Sequence, residues 1–292
     1  MQAKTLFLHI GAEKTGSTAI QSFLASVPSL LRKHRYYYIN PSHPSWISRS
    51  FDTRSLHCDL VGEHTRPIDI NNIITSAIDL DCDFYIISSE YLYSRLRAVK
   101  DIKALASFLH KSFDRVIVIA YHRDACHLLN SLSTEAIKAG EATVWNIKRC
   151  PYNEYFQHAL AFESVMEVWS RYFDDVITLS YDQAIKDSSD VKVSFLQAIR
   201  LVDHVDRAKL SVSLTIHNAR ITHLSTILIS IVVCTLTVFP DLSFETRRKT
   251  LAVARKLIAL LQIVIPSRLQ KNFNPFTSQD TAKALAIASS YK

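Results

Sequence analysis

Two of the chain's four glycines stand close together, in Gly11-Ala-Glu-Lys14-Thr15-Gly16-Ser17-Thr18. Two glycines separated by four residues, between an apolar run and a helical pattern, frame a loop that cradles phosphate-type anions. The backbone N–H groups of such a loop, and the N-terminus of the helix after it, face the anion. A loop that hydrolyses nucleoside triphosphates reads GxxxxGK[ST], with the lysine directly before the hydroxyl residue. Here Ser17 fills the lysine position, and the cation has moved back to Lys14, inside the loop. The displacement keeps one cation beside the phosphate, changes which oxygen it reaches, and argues against an ordinary ATPase. Chance accounts poorly for the pair in a chain with 4 Gly among 292 residues, against about 7% in average proteins.

The elements that must hold this loop are legible as runs and periods. Thr5 to Ile10 is short and apolar and stops at Gly11, which predicts a buried strand ending in a loop. Ala19, Ile20, Phe23, Leu24 and Val27 recur at helical spacing up to Pro28. Three further runs, Asp83–Ser89, Arg115–Tyr121 and Asp175–Tyr181, predict buried strands. Helices are expected over 101–112, Asp124–Lys138 (ended by Gly140), 153–173 and 190–201. Residues 36–70 are aromatic, punctuated by His and Pro, and read as mostly irregular. Strands alternating with helices predict an α/β fold with a mainly parallel central sheet flanked by helices, in three layers, and a helical C-terminal part. Continuous apolar strands agree, since a parallel sheet is covered on both faces. The expected organisation is an α/β core over 1–205 and a helical region over 206–292 packed on it as part of the same domain.

Composition narrows the function classes. An apolar content of 48% excludes a mainly disordered chain. The net charge of +7, from 34 Lys+Arg against 27 Asp+Glu, favours anionic ligands. The densest basic run is Arg247-Arg248-Lys249; a run this short reads as a solvated helix face, and no nucleic-acid partner is expected. The five cysteines, Cys58, Cys82, Cys126, Cys150 and Cys234, form no CxxC. They suggest neither a disulfide framework nor a zinc site, and a reducing, cytoplasmic setting. The N-terminus enters an apolar strand at once, without the pattern of a signal peptide. Residues 221–240 carry no formal charge. They are read either as a membrane-contacting segment or as a buried core or dimer helix, the interspersed Ser, Thr and His favouring the latter.

The loop in its full context, His9-Ile-Gly-Ala-Glu-Lys-Thr-Gly-Ser-Thr18, resembles the 5′-phosphosulfate loop of sulfotransferases that use 3′-phosphoadenosine 5′-phosphosulfate (PAPS). The usual form there is close to HIGxxKTGTT, in the version shown by the bacterial and Golgi carbohydrate branches. A second motif of that family is an Arg at a strand end followed eight residues later by a Ser on the next helix, matched by Arg123 and Ser131. The resemblance assigns both to the 3′-phosphate, for which Arg offers a planar fork and Ser one donor. Ile87-Ser-Ser-Glu90 and Thr178-Leu-Ser-Tyr-Asp182 resemble further strand ends of bacterial members, so the similarity touches residues 5 to about 201. The chain departs from the pattern in Asp124-Ala-Cys-His127 and at Ser133.

The resemblance implies sulfuryl transfer to a hydroxyl or amine of a carbohydrate or other small acceptor. Catalysis would come from positioning and electrostatics. Lys14 is then the group that stabilises the bridging oxygen, and Gly11, Thr15, Gly16, Ser17 and Thr18 surround the 5′-phosphosulfate. No metal is required, and the sequence shows no cluster of metal ligands. Glu90, at a strand's carboxyl end, either serves as general base, orients the acceptor, or caps the following helix or pairs with an Arg. His9 reads as a packed strand residue. His43, His57 and His64 read singly as surface histidines. Tyr36-Tyr37-Tyr38 fits either the core or a sugar acceptor. Two other classes remain: a nucleotide kinase or NTPase, which wants Lys before Ser/Thr and an acidic Mg²⁺ partner, and a non-catalytic adaptor with a relic nucleotide pocket.

Overall fold

The computed structural model describes residues 3–40, 70–78, 81–188, 190–205, 223–238, 243–264 and 274–289. His43, His57, His64 and Cys58 lie outside the described residues, as do 221–222 and 239–240.

Five parallel strands form one sheet: β1 (Thr5–His9), β2 (Tyr36–Tyr38), β3 (Phe84–Ser88), β4 (Arg115–His122) and β5 (Asp175–Ser180). Their order is β2-β3-β1-β4-β5. Side chains alternate across each strand and so divide between two apolar layers. Leu6 and Leu8, Tyr85 and Ile87, and Val116, Val118 and Ala120 face one core. Phe7, Ile86, Ile117, Ile119 and Tyr121 face the other. The central strands need both cores to be covered, and helices cover both. Leu92, Ile102, Leu105 and Trp169 complete the first core; they sit on α4 (Glu90–Arg95), α5 (Val99–Leu109) and α8 (Phe162–Ser170). Ile20, Phe23, Leu24, Leu31, Val191 and Phe195 complete the second; they sit on α1 (Ser17–Ser26), α2 (Pro28–Lys33) and α10 (Val191–Ala198). The remaining helices of this part are α3 (Ile70–Ile78) and α9 (Tyr181–Ser188). This is the expected α/β three-layer architecture.

The chain forms two compact units. One contains Met1–Arg123 and Ala161–Thr215; the other contains Asp124–Leu160 and Ile216–Lys292. This division is not the sequential one at residue 205, because 124–160 groups with the C-terminal helices. The second unit is helical: α6 (Ala125–Ala139), α7 (Glu154–Leu160), α11 (His223–Thr237), α12 (Phe244–Val264) and α13 (Ser278–Ala288). Leu128, Leu129, Leu132, Ile229, Leu251 and Ala284 share its core. Asp124 caps α6 by accepting from the His127 N–H at 3.0 Å. Asn130 locks the approach to α13: its Oδ1 accepts from the Phe276 N–H at 2.9 Å and its Nδ2 donates to the Phe276 carbonyl at 3.2 Å.

Three expectations differ from the structure. The helix expected over 153–173 is two helices, broken at Ala161 (φ −83°, ψ 37°). Phe156 and Leu160 pack in the second unit, whereas Val165, Met166 and Trp169 pack in the first. Each half is amphipathic, so the periodicity runs through the break. The stretch 36–70 does not open as irregular chain: Tyr36–Tyr38 is an edge strand paired in parallel with Phe84–Ile86. Tyr36 and Tyr38 are buried, so they are core residues rather than an acceptor platform. The strand at 175–180 is an edge strand and only half-buried. Within 221–240, α11 buries Ser225, Thr226, Ile229 and Ser230 and exposes Ile231 and Cys234. Among the described residues no helix is long and apolar enough to cross a membrane.

Candidate functional site

From β1 the chain first builds β2 and β3 on one side of the sheet, then crosses to β4 and β5 on the other. In open α/β sheets, ligands bind at the carboxyl ends of strands where this reversal occurs. The reversal lies between β1 and β4. The Gly11–Thr18 loop leaves the end of β1 and Arg123 follows the end of β4, so both expected features fall at that point. The loop's base is anchored on both flanks. The Ile10 N–H donates to the Ile119 carbonyl of β4 at 3.0 Å, and the His9 carbonyl accepts from the Ser89 N–H at 2.9 Å.

Three left-handed residues shape the loop: Gly11 (φ 52°), Lys14 (φ 67°) and Gly16 (φ 83°). Glycine is required at the first and last. A Cβ on Gly11 would lie 2.7 Å from Ser17 Oγ, and one on Gly16 would lie 2.8 Å from Val191 Cγ1 and 3.2 Å from Tyr181 Cε2. Lys14 adopts this region with a side chain, which costs about 1–2 kcal/mol for an L-residue. The loop is held in that shape from outside: Arg123 Nη1 donates to the Lys14 carbonyl at 3.1 Å. The guanidinium also lies over the Tyr181 ring, 5.0 Å from its centroid, with Nε 3.7 Å from Asp182 Oδ1.

The side chains around the loop divide into structural and available groups. Thr15 is buried, and its hydroxyl donates to the Ala12 carbonyl at 2.5 Å, so it closes the loop on itself and leaves its backbone N–H as its contribution. Ser17 Oγ is buried with no hydrogen-bond partner among the described residues. It stands at the first position of α1, whose first-turn N–H groups have no acceptor within the helix. Thr18 is exposed beside it. Arg123 Nε is likewise buried without a hydrogen-bond partner among the described residues.

Glu90 reaches the same place from β3. Its Cα lies 3.5 Å from where a Gly11 Cβ would be, and its Oε2 accepts from Gln21 Nε2 at 2.8 Å. Burial, and then the Glu90 charge, push the Tyr38 phenol above its ordinary range. Glu90 occupies the first turn of α4 but does not cap it; Ser89 holds the N-cap position. His9 is fully buried, with Nδ1 sharing a hydrogen bond with Ser88 Oγ at 2.7 Å. Burial lowers its pKa to about 3, so it is a neutral packing residue under the loop.

The first unit thus brings Gly11, Lys14, Thr15, Gly16, Ser17, Thr18, Glu90 and Arg123 to one end of the sheet. Ser131 lies in the second unit, half-buried on α6. Reading the sequence missed Gln21 as the residue that holds Glu90. The available signal was its place one turn after Ser17 on α1, which puts both on one helix face. It also missed the role of Tyr181 and Asp182 as the seat of the Arg123 guanidinium. Among the described residues no group of three or more His, Cys, Asp or Glu is gathered as metal ligands.

No protein-family model matches the chain, and no curated protein matches it. Among solved structures, the chain is similar to a sulfotransferase from Alicyclobacillus acidocaldarius. The TM-score is 0.49 at 12% identity, over 87% of this chain and 96% of that one.

Proposed function

We propose that this protein is a sulfotransferase that moves a sulfuryl group from PAPS to a hydroxyl or amine of a carbohydrate or other small acceptor. The observation that carries the reading is the loop itself. It is glycine-hinged and seated at the switch point, with Lys14 inside it, an unpartnered buried Ser17 hydroxyl, and Arg123 docked on the Lys14 carbonyl. These residues fit an anionic donor: a Cβ at Gly11 or Gly16 would collide with Ser17 or with Val191 and Tyr181, so the glycines are what let the loop curl with its N–H groups inward, and among the described residues Ser17 Oγ lacks a partner that an anion's oxygen would supply.

The donor supplies an activated sulfuryl group on a phosphate leaving group. The N–H groups of the loop and of the first turn of α1 bind that phosphate end, with the helix dipole adding to the attraction. Lys14 places a positive charge where negative charge grows on the leaving oxygen, and a preorganised charge of this kind lowers a barrier most effectively. Arg123 holds the loop's shape through the Lys14 carbonyl and adds its own charge to the pocket wall. Glu90, oriented by Gln21, accepts the acceptor's proton. Arg123 also meets the donor's 3′-phosphate, as the family resemblance implies.

The test uses a Lys14→Gly variant. Glycine suits φ 67°, so the amine is removed while the loop keeps its shape. With radiolabelled PAPS and cell-envelope fractions as acceptors, wild type transfers label and Lys14→Gly loses at least about 100-fold in rate. A wild-type rate in the variant would overturn the mechanism. In thermal shift, 3′-phosphoadenosine 5′-phosphate stabilises the protein and ATP with Mg²⁺ does not; the reverse result would favour the nucleotide kinase.

A further inference from the structure

At the opposite end of the sheet the first unit contains a second cleft, of about 420 Å³, which the sulfuryl-transfer reading does not use. Thr5 and Phe7 of β1 line it, so even its nearer edge lies four residues down the strand from Gly11, about 13 Å at 3.3 Å per residue. The volume falls within the range that holds small organic ligands.

The inner wall is aromatic. Tyr36 and Phe84 stack with centroids 4.7 Å apart and planes 24° apart, and Phe7 lies 6.1 Å from Phe84 with planes at 30°. All three line the cleft. The Tyr36 hydroxyl is already committed, donating to the Ile199 carbonyl at 2.6 Å. Phe84 is half-buried and gives the wall its open ring, with Tyr36 and Phe7 buried against it, so the surface offers aromatic carbon rather than hydrogen bonds.

The rim carries Arg200 and two histidines. His34 and His204 stack face to face, 4.3 Å apart with planes at 21°. Arg200 stands beside them, in left-handed backbone (φ 60°) at the end of α10. It is exposed to solvent and lines the same cleft as the aromatic wall. Burial, the neighbouring His204 and Lys33 all disfavour a protonated His34. Of the acidic groups nearby, Asp175 faces Arg115 at 3.5 Å, Asp83 and Asp81 are held by Arg35, and Asp203 precedes His204 on the exposed turn. Asp175 offsets Arg115, so what one side of the slot offers an anion is the Arg200 guanidinium and the ring nitrogens of the two imidazoles.

We propose that this cleft binds a small aromatic anion, a planar ring system carrying one carboxylate, sulfonate or sulfate group. The rings lie against Phe84, which Tyr36 backs, and the anionic group meets Arg200 and the His34–His204 pair. Stacking on an aromatic ring and charge-assisted donation from a guanidinium both favour such a ligand. The site stands on its own residues and does not depend on the donor loop.

The test is isothermal calorimetry of the full-length protein with 2-naphthalenesulfonate and, at the same pH, with neutral 2-naphthol. The sulfonate binds one to one and at least about tenfold more tightly than the naphthol. Arg200→Gly, a substitution that suits the left-handed backbone, weakens the sulfonate about tenfold or more, Arg200→Lys weakens it less, and both leave the melting temperature near wild type. 3′-Phosphoadenosine 5′-phosphate neither displaces the sulfonate nor changes affinity in these variants. Absence of saturable binding, equal affinity for both probes, or binding insensitive to Arg200→Gly would overturn the assignment. So would displacement by the nucleotide, since the probe would then be lodged in the donor loop. Failure of the donor reading alone leaves the cleft's binding intact, so the two proposals are separable.

Discussion

Gly16→Ala tests the donor loop through its tightest point. The substitution asks an L-residue to hold φ 83°, which costs about 1–2 kcal/mol. It also places a methyl 2.8 Å from Val191 Cγ1 and 3.2 Å from Tyr181 Cε2. Val191 is buried and cannot swing into solvent, so relief comes from an off-rotamer shift of about 0.5–1.5 kcal/mol. The sum is a loss of about 1.5–3.5 kcal/mol of stability, read as a lower urea midpoint with an unchanged slope. The functional cost is separate. Tyr181 is the ring beneath Arg123, and Arg123 holds the Lys14 carbonyl, so displacing the ring loosens the cradle. Affinity for 3′-phosphoadenosine 5′-phosphate should fall about tenfold or more by calorimetry. Gly140→Ala is the control. Gly140 has nearly the same φ, 81°, and the same 2.8 Å crowding, against Leu251 in the second unit's core. It should lower stability by a similar amount and leave nucleotide affinity within about twofold. In a Gly16→Ala/Val191→Ala double variant, the two changes should couple favourably by about 1 kcal/mol, since the collision is removed and the backbone strain remains. Wild-type nucleotide affinity in a folded Gly16→Ala protein would refute the argument that this backbone cradles the donor.

Other perturbations separate the remaining roles. Glu90→Gln should lower turnover about 100-fold while donor affinity stays within about twofold, since a general base acts on the acceptor; a loss of donor affinity without a loss of turnover would remove that role. His9→Gln should flatten the acid limb of the stability profile. The folded pKa of about 3 lies below the ordinary 6.5. The unfolded chain therefore takes up a proton that the folded one refuses, and stability falls by up to about 1.4 kcal/mol per pH unit on going down from 6.5, levelling near 3. Parallel urea profiles for wild type and variant over that window would contradict it. Asn130→Ala should cost about 2–4 kcal/mol, because it strands both backbone groups of Phe276; this is measured by denaturation, with nucleotide affinity unaltered. Asp83→Asn should destabilise at neutral pH, with the gap to wild type closing in acid. The Arg35 hydrogen bonds hold that carboxyl below its ordinary range, so its contribution is present above the unfolded pKa and fades as pH falls through the folded one.

How much of this was legible in the sequence depends on whether the deciding contact was local. β1, β3 and β4 were readable because both faces of each are buried, which leaves a continuous apolar run such as Leu6-Phe7-Leu8. β2 was not, because three tyrosines carry no run and gain strand character only by pairing with β3, nearly fifty residues on. The break at Ala161 was hidden because the helices on either side each show an apolar stripe, and periodicity does not reveal that the stripes face different cores. At the site, glycine scarcity made the loop stand out. Arg123 and Glu90 were singled out as well, but not their contacts, since Gln21 meets Glu90 and Arg123 meets Lys14 only through the sheet order.

That last contact joins two features that look independent in the sequence. A lysine inside the loop and an arginine after a distant strand are separate motifs on paper. In the structure, the left-handed backbone of Lys14 accompanies a carbonyl that accepts from Arg123. The residue proposed to offer its amine to the anion also gives its backbone carbonyl to Arg123. In a GxxxxGK[ST] loop the lysine stands directly before the hydroxyl residue, at the position Ser17 holds here. The displaced lysine instead sits at the loop's turning point, where one residue fixes both the loop's curvature and its charge. Arg123→Ala should therefore weaken donor binding beyond the loss of one charge. It should also increase amide exchange at residues 13–16, which a purely electrostatic arginine would leave untouched.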